Sequence, residues 1–488
     1  MAERGRGGFL PFMLGWALSG LAGVTLLFAG LAALLQEPFW PFLLAAVASA
    51  LAGLPLLLSG RIRSEPSRRM ALLTVLVLWL VLPLFGALPY LLSGVLSPLD
   101  ALFESLSGFT TTGATVITDL GSTAGSLLLY RALSQWLGGI GIIIVFTTVF
   151  PSLGVAGRQL FQGEEPGPRE DRLAPRLRFA SAALLSVYAS LTVLSFLSWW
   201  VAGMAPLDAA AYAFATLSAG GFSTGTDVHG TFALPVFQLI GLLFMMLAGT
   251  NFTLQYRAYQ GRFRELWLDT EFRTYLLVLA GAGLTLFLLP GASGDFSSAL
   301  FQAVSVITTT GFTTESITDW PPYGQLLLLG LMFVGGCAGS AAGGIRIMRW
   351  LIVLRSSGLE VQRMLHPRAA LPLRIGHRLV TREVLRATAA FFTLYVLLTA
   401  SSTFLLSLSG MDLMGALSAS LSTVGLVGFG FDGEGQLLDF TSLSATAKGL
   451  LMLNMYAGRL EIVTLFVLLA PGFWRLPRRR RRQREVER

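Results

Sequence analysis

Two stretches of the chain, FTTTGA at 109–114 and ITTTGF at 307–312, set three threonines beside a glycine. Threonine adds hydroxyl oxygens, and glycine lets the backbone turn its carbonyls to one side with no Cβ in the way. Neutral oxygens arranged in a ring can replace the hydration shell of a monovalent cation. Weaker versions, ATLSAGG ending at Gly221 and SLSTVG ending at Gly425, make the pattern fourfold, with equivalent glycines Gly113, Gly221, Gly311 and Gly425. One T-T-T-G carries little weight, because Thr and Gly also serve plain helix packing in membranes. Packing alone does not require what precedes each loop: LDALFESLSGF, LDAAAYAFATL, SSALFQAVSVI and MDLMGALSASL, all mostly apolar. Asp100, Asp208 and Asp412, with Ser298 in the third copy, stand thirteen residues before their glycines and are the expected helix N-caps.

Such half-helices are too short to cross a bilayer, which takes about 20 residues, so other elements must carry them. The chain supplies these: 54% of its 488 residues are hydrophobic and 13% charged, against roughly 25% charged in soluble domains. Apolar segments read as ten spans, at 10–35, 40–60, 70–93, 126–150, 178–203, 232–256, 272–290, 322–357, 379–408 and 446–470. Basic residues gather at 61–69, 158–178, 257–273, 346–386 and after 475, which places those segments and both termini on the cytoplasmic side. The expected fold is an all-α polytopic membrane protein. Two N-terminal helices (1–69) precede four span–pore-helix–span repeats, at 70–157, 158–260, 261–360 and 361–475, in pseudo-fourfold arrangement around one pore. A basic tail, 476–488, follows.

Glycine-ended loops at membrane depth are tolerated only where protein buries them or water lines them. Half-helices aiming their carbonyl ends at a common pathway favour cations, and the outer segments are acidic: Asp100, Glu104, Asp119, Asp208, Asp227, Asp295, Glu315, Asp319, Asp412, Asp432 and Glu434. The overlong eighth span is interrupted by GGCAGSAAGG at 335–344. Glycine costs about 1 kcal/mol per helical position relative to alanine, so this stretch reads as a broken helix able to close the pathway, or alternatively as a packing face. In the tenth span Arg459 and Glu461 lie at a depth where ionisable groups mark function. Two positions apart on a helix they do not face each other, and Arg459 is expected to reach carbonyls of the 335–344 loop. One cysteine and three scattered histidines (His229, His366, His377) offer no metal or nucleophile constellation, so no enzyme is expected. The net charge of +8 reads as topology and lipid contact rather than nucleic-acid binding.

The segments RALSQWLGGIGIIIVF, LGVAGRQLFQGEEPGP, ITTTGF, GGCAGSAAGGIRIMR, HPRAALPLRIG and GRLEIVTLFVLLAPGFWR resemble the TrkH/TrkG potassium uptake proteins, relatives of the KtrB subunits, in register from about 71 to 474. The resemblance implies K+ as the transported ion, no covalent cofactor, a homodimer in the bacterial cytoplasmic membrane, and a cytosolic TrkA-type nucleotide-binding (NAD/ATP/ADP) regulatory ring. Carried over by position, the selectivity filter would be Thr111, Thr112 and Gly113; Ala219, Gly220 and Gly221; Thr309, Thr310 and Gly311; and Thr423, Val424 and Gly425. The gate would be Gly335, Gly336, Gly339, Ser340, Gly343 and Gly344, opposed by Arg459. Relatives that pass sodium can carry serine where this chain has Gly113. A sodium-permeable, or sodium- or proton-coupled, transporter is the alternative.

Overall fold

The computed structural model describes residues 8–60, 67–148, 173–225, 231–232, 234–291, 293–314, 317, 320–367, 371–376, 378–469 and 471–474. Outside them lie the segment at 153–168, the repeat boundary at 157–158, the tail, and Asp227, His229, Glu315, Asp319 and His377.

Helices α1 (Phe9–Leu34) and α2 (Trp40–Ser59) form a hairpin. Small residues let their backbones meet: a methyl on Gly15 would lie 2.2 Å from the Leu57 amide nitrogen, and one on Gly53 2.8 Å from that of Ser19. Repeat 1 is α3 (Arg68–Gly86), the short α4 (Leu88–Leu92), half-helix α5 (Pro98–Phe109) and α6 (Gly125–Thr148). Repeat 2 is α7 (Leu173–Val201), half-helix α8 (Pro206–Leu217), α9 (Pro235–Ala248) and α10 (Phe252–Tyr259). After α11 (Phe263–Leu268), repeat 3 is α12 (Thr270–Leu288), half-helix α13 (Phe296–Ile307), α14 (Pro322–Met332) and α15 (Ile347–Leu365). A two-residue hairpin, β1 (Arg374–Ile375) with β2 (Arg378–Leu379), leads to repeat 4: α16 (Arg382–Leu408), half-helix α17 (Leu413–Gly425), α18 (Ala445–Arg459) and α19 (Ile462–Leu469), followed by α20 (Pro471–Trp474).

Seven helices among the described residues are individually long and apolar enough to cross a membrane. The other three expected spans are interrupted. The sixth bends by 103° between α9 and α10, where Asn251 caps α10 by accepting from the Thr253 amide at 2.8 Å. The eighth breaks between α14 and α15 at the glycine-rich stretch, as its composition implied. The tenth breaks at Leu460–Glu461, with Glu461 at φ +63°. Exposure runs opposite to that of a soluble protein: Leu27, Leu51, Leu58 and Leu277 face outward, while Ser107, Thr110, Gln135, Thr308 and Ser418 are buried. Surrounding hydrocarbon gives apolar groups no reason to hide, and polar groups every reason to pair inside.

Each repeat packs against the next in the same way. The span after each half-helix lies on the half-helix of the following repeat, α6 on α8, α9 on α13 and α14 on α17, and α18 returns to α5 to close the circle. Lys448 on α18 fastens that last joint, its Nζ 2.6 Å from Asp100 Oδ1 and 3.0 Å from the Thr441 carbonyl. Lys448→Met leaves the partly buried Asp100 carboxylate unpaired and should destabilise the detergent-solubilised protein by about 1–3 kcal/mol. A melting temperature equal to that of the wild type would show the joint to be dispensable.

Candidate functional site

The half-helices begin alike. Ser97, Ala205, Asp295 and Asp412 are their N-caps, and the side chains of Ser97, Asp295 and Asp412 accept from an amide three residues on. Asp100, Asp208 and Ser298, expected as caps, therefore sit in the first turn instead, and only Asp412 is a cap. This offset matters at the other end. Sixteen residues beyond each cap stand Gly113, Gly221, Gly311 and Gly428, with φ of +88°, +76°, +82° and +96°. Two residues before each of these, Thr111, Ala219, Thr309 and Leu426 are also left-handed, at +54° to +63°. Between them the amides of Thr112, Gly220, Thr310 and Val427 all donate to the carbonyl five residues back, at 2.8–2.9 Å.

The fourth loop is consequently Leu426–Val427–Gly428. Thr423, Val424 and Gly425, the expected triplet, form the last turn of α17. GLVGFG carries glycines at 425, 428 and 430. Taking Asp412 as the equivalent of Asp100 chose the wrong one by three residues.

The four glycines interlock with the neighbouring loops. A methyl added to Gly113 would lie 2.1 Å from the Gly220 carbonyl oxygen, and one on Gly221 1.8 Å from that of Thr310. A methyl on Gly311 would lie 2.1 Å from the Val427 oxygen, and one on Gly428 2.3 Å from that of Thr112. The contacts run from repeat 1 to 2, 3, 4 and back to 1, so four backbone carbonyls lie in one closed ring. A cavity of about 270 Å³ opens onto it, lined by all four glycines together with Thr115, Arg131, Ser223 and Asp439.

Buried polar groups brace the loops. The Thr110 and Thr112 hydroxyls lie 2.8 Å apart, and those of Thr308 and Thr310 2.9 Å. Arg131 Nε donates to Glu104 Oε1 at 2.5 Å and its Nη1 to the Ser223 carbonyl at 2.9 Å, with the guanidinium stacked 3.8 Å over the Phe222 ring. Glu104 also accepts from Thr115 Oγ1 and the Val116 amide. Of the acidic residues expected to line an outer mouth, Glu104 and Asp100 are thus committed to basic partners, and Asp295 and Asp412 to caps. Asp439, which the sequence did not single out, is the carboxylate on the cavity wall.

The 335–344 stretch is an ordered loop bound on every side. Gly335, Gly339 and Gly344 adopt φ of +73°, +77° and +71°. The Cys337 and Ala341 amides donate to the carbonyls of Gly249 and Ala248, at the bend between α9 and α10. Ser340 Oγ donates to the Cys337 carbonyl at 2.7 Å. Glu271 accepts from the Ala338 amide at 2.6 Å and the Met348 amide at 3.2 Å. The Gly343 amide donates to Thr309 Oγ1 at 2.8 Å, joining this loop directly to the third glycine loop, and a methyl on Gly336 would lie 2.9 Å from the Gly249 oxygen. Arg459 reaches the loop as expected, donating to the Ala341 carbonyl at 3.4 Å, and also to that of Gly138 at 2.8 Å. Glu461 pairs elsewhere, with Arg346 (3.5 Å) and Arg349. Those two arginines are therefore buried ion-pair partners, not solvent-facing topology signals. The bend at Gly249–Asn251, Glu271 and Arg349 carry no repeating motif, which is why the sequence did not give them up.

Fold and site together define a class: a multi-pass membrane protein whose four repeats meet at one ring of backbone carbonyls. The chain belongs to the TrkH family, described as cation transport protein, whose model matches residues 42–475. It is 38% identical over 428 residues to the Trk system potassium uptake protein TrkH of Vibrio parahaemolyticus, covering 85% of this chain and 88% of that protein. Against TrkG of Escherichia coli it is 34% identical over 417 residues, covering 83% and 86%. The crystal structure of the potassium transporter TrkH from V. parahaemolyticus superposes with a TM-score of 0.87 at 34% identity, covering 96% of this chain and all of that one.

The corrected register has a direct test. Gly428→Ala forces a Cβ to 2.3 Å from the Thr112 oxygen at a left-handed φ, whereas Gly425→Ala meets nothing closer than 3.2 Å. Cation flux should fall about tenfold or more in the first, from 1–3 kcal/mol of strain in the ring, and much less in the second. The reverse order would restore the 423–425 register.

Proposed function

We propose that this chain takes potassium up across the cytoplasmic membrane, down its electrochemical gradient. In this reading the filter is formed by Thr111–Gly113, Ala219–Gly221, Thr309–Gly311 and Leu426–Gly428. The observation that carries it is the closed glycine–carbonyl ring, whose four oxygens come from four repeats and involve no charged side chain. Carbonyl oxygens without a fixed negative charge suit a large, weakly hydrated monovalent cation. Relatives named as potassium uptake proteins agree with this choice of ion. An inside-negative potential supplies about 2.3 kcal/mol per charge per 100 mV, enough to drive entry with no coupled ion.

The 335–344 loop, with Gly335, Gly336, Gly339, Ser340, Gly343 and Gly344, is the gate in this proposal. Arg459 holds it shut through the Ala341 and Gly138 carbonyls while presenting positive charge to the ion. Opening must release contacts with Thr309 and Arg459, and in this proposal the force comes from the cytoplasmic side, where the basic connectors around α11, α15 and the β-hairpin are expected. A cytosolic nucleotide-binding ring of the TrkA type is the proposed partner there, acting on a homodimer with both termini cytoplasmic. Anionic lipid is the proposed contact of the basic tail.

The test is growth of a potassium-uptake-deficient bacterium on limiting potassium, together with rubidium uptake in proteoliposomes. Gly113→Ser places a side chain against the Gly220 oxygen at φ +88° and should cut potassium uptake about tenfold or more. Unchanged uptake would remove the filter reading. Arg459→Ala should raise flux in the absence of any cytosolic partner, and unchanged flux would remove the gate reading.

A further inference from the structure

The second loop differs from its counterparts in a way that a side chain of repeat 1 answers. In loops 1 and 3 the middle residue is threonine, and its hydroxyl braces the loop against Thr110 or Thr308. In loop 2 the middle residue is Gly220, with no side chain to do this. The space is filled by Gln135 of α6, fully buried. Its Nε2 donates to the Gly220 carbonyl at 2.6 Å, and its Oε1 accepts from the Phe222 amide at 3.2 Å. That amide orientation is the one that satisfies both partners. The fit is tight, since a Cβ on Gly220 would lie 2.4 Å from Gln135 Cδ. Glycine at 220 and glutamine at 135 are thus two halves of one arrangement.

The bonded oxygen is one of the four in the ring, the one beneath Gly113. Among the described residues, Gln135 is the one side chain with a hydrogen bond to any of those four oxygens. The positive hydrogen of an amide donor offsets part of the field that the accepting carbonyl presents to an ion, and it fixes the carbonyl's direction. A ring of weaker field favours a larger, more easily dehydrated cation over a smaller one.

We propose that Gln135 is a selectivity-determining positioning residue: it replaces the side chain missing from Gly220 and weakens one ring oxygen, favouring potassium over sodium. The proposal rests on the ring being the filter. Removing the donor strengthens and frees the Gly220 oxygen, so sodium gains on potassium.

The experiment measures rubidium uptake into proteoliposomes and its inhibition by sodium and by potassium, with folding checked by size-exclusion chromatography. Gln135→Met removes both hydrogen bonds at similar volume, and sodium should compete about three- to tenfold better relative to potassium, the span of one hydrogen bond. Gly220→Thr alone clashes with Gln135 and should lose uptake, whereas Gln135→Ala combined with Gly220→Thr makes loop 2 resemble loop 1 and should recover it. A folded Gln135→Met protein with wild-type selectivity overturns the inference, as does a double variant no better than Gly220→Thr. Gly113→Ser in the same assay separates the two claims: if it leaves uptake unaffected the filter reading fails, and if it abolishes uptake, wild-type selectivity at Gln135 removes this inference alone.

Discussion

Everything in this molecule is arranged around four approaches of backbone oxygen to glycine. Each ring carbonyl fits because the residue facing it has no Cβ, and the positive φ needed there is one that glycine adopts at little cost. Four residues, Thr111, Ala219, Thr309 and Leu426, accept the same left-handed region without that freedom. Conformations of this kind cost of order 1–3 kcal/mol each and persist only where the surroundings over-determine them. The surroundings do so here: a half-helix before each loop, an amide hydrogen bond donated to the carbonyl five residues back, and a neighbouring repeat that holds the next oxygen.

The same logic explains the buried charges. Glu104–Arg131, Glu461 with Arg346 and Arg349, and Arg459 are all buried within the protein. A buried pair adds little to stability compared with apolar packing, but breaking one by removing a partner is costly. Such pairs therefore serve position more than strength. Glu104–Arg131 links the segments that follow loops 1 and 2, through Thr115, Val116 and Ser223. Glu461 ties the break in the last span to the start of α15, where Glu271 also accepts from the Met348 amide. With Arg459 on its Ala341 carbonyl, Thr309 on its Gly343 amide and the Gly249 and Ala248 carbonyls on its Cys337 and Ala341 amides, that loop is connected to the ring and to repeats 2, 3 and 4. A displacement of α15 or α18 cannot leave it untouched.

Much of this was legible in the sequence, and the failures have a common cause. Ten apolar segments, four half-helices and the glycine break at 335–344 follow from composition and length, which act locally. Arg459 reaching the loop followed from the expense of an unpaired charge at that depth. What could not be read depended on geometry between distant segments. The fourth loop was misplaced by three residues because Asp412 is a cap whereas Asp100 and Asp208 stand in the first turn. No residue type announces which role an aspartate takes near a helix start. Had Ser97, Asp295 and Asp412 been aligned as caps, Gly428 would have emerged from the spacing alone. Gln135 gave no signal, being one glutamine in an apolar span whose partner lies in the next repeat.

The central claim is that the ring of Thr112, Gly220, Thr310 and Val427 oxygens is where the transported cation sheds its water. The most direct measurement is anomalous diffraction from crystals of the protein soaked in thallous ion, which scatters strongly and substitutes for potassium. The account predicts a peak on the axis of the ring, within coordinating distance of those four oxygens. A peak at the level of Thr423–Gly425 with none at the ring, or no ordered ion on the axis at all, would contradict it.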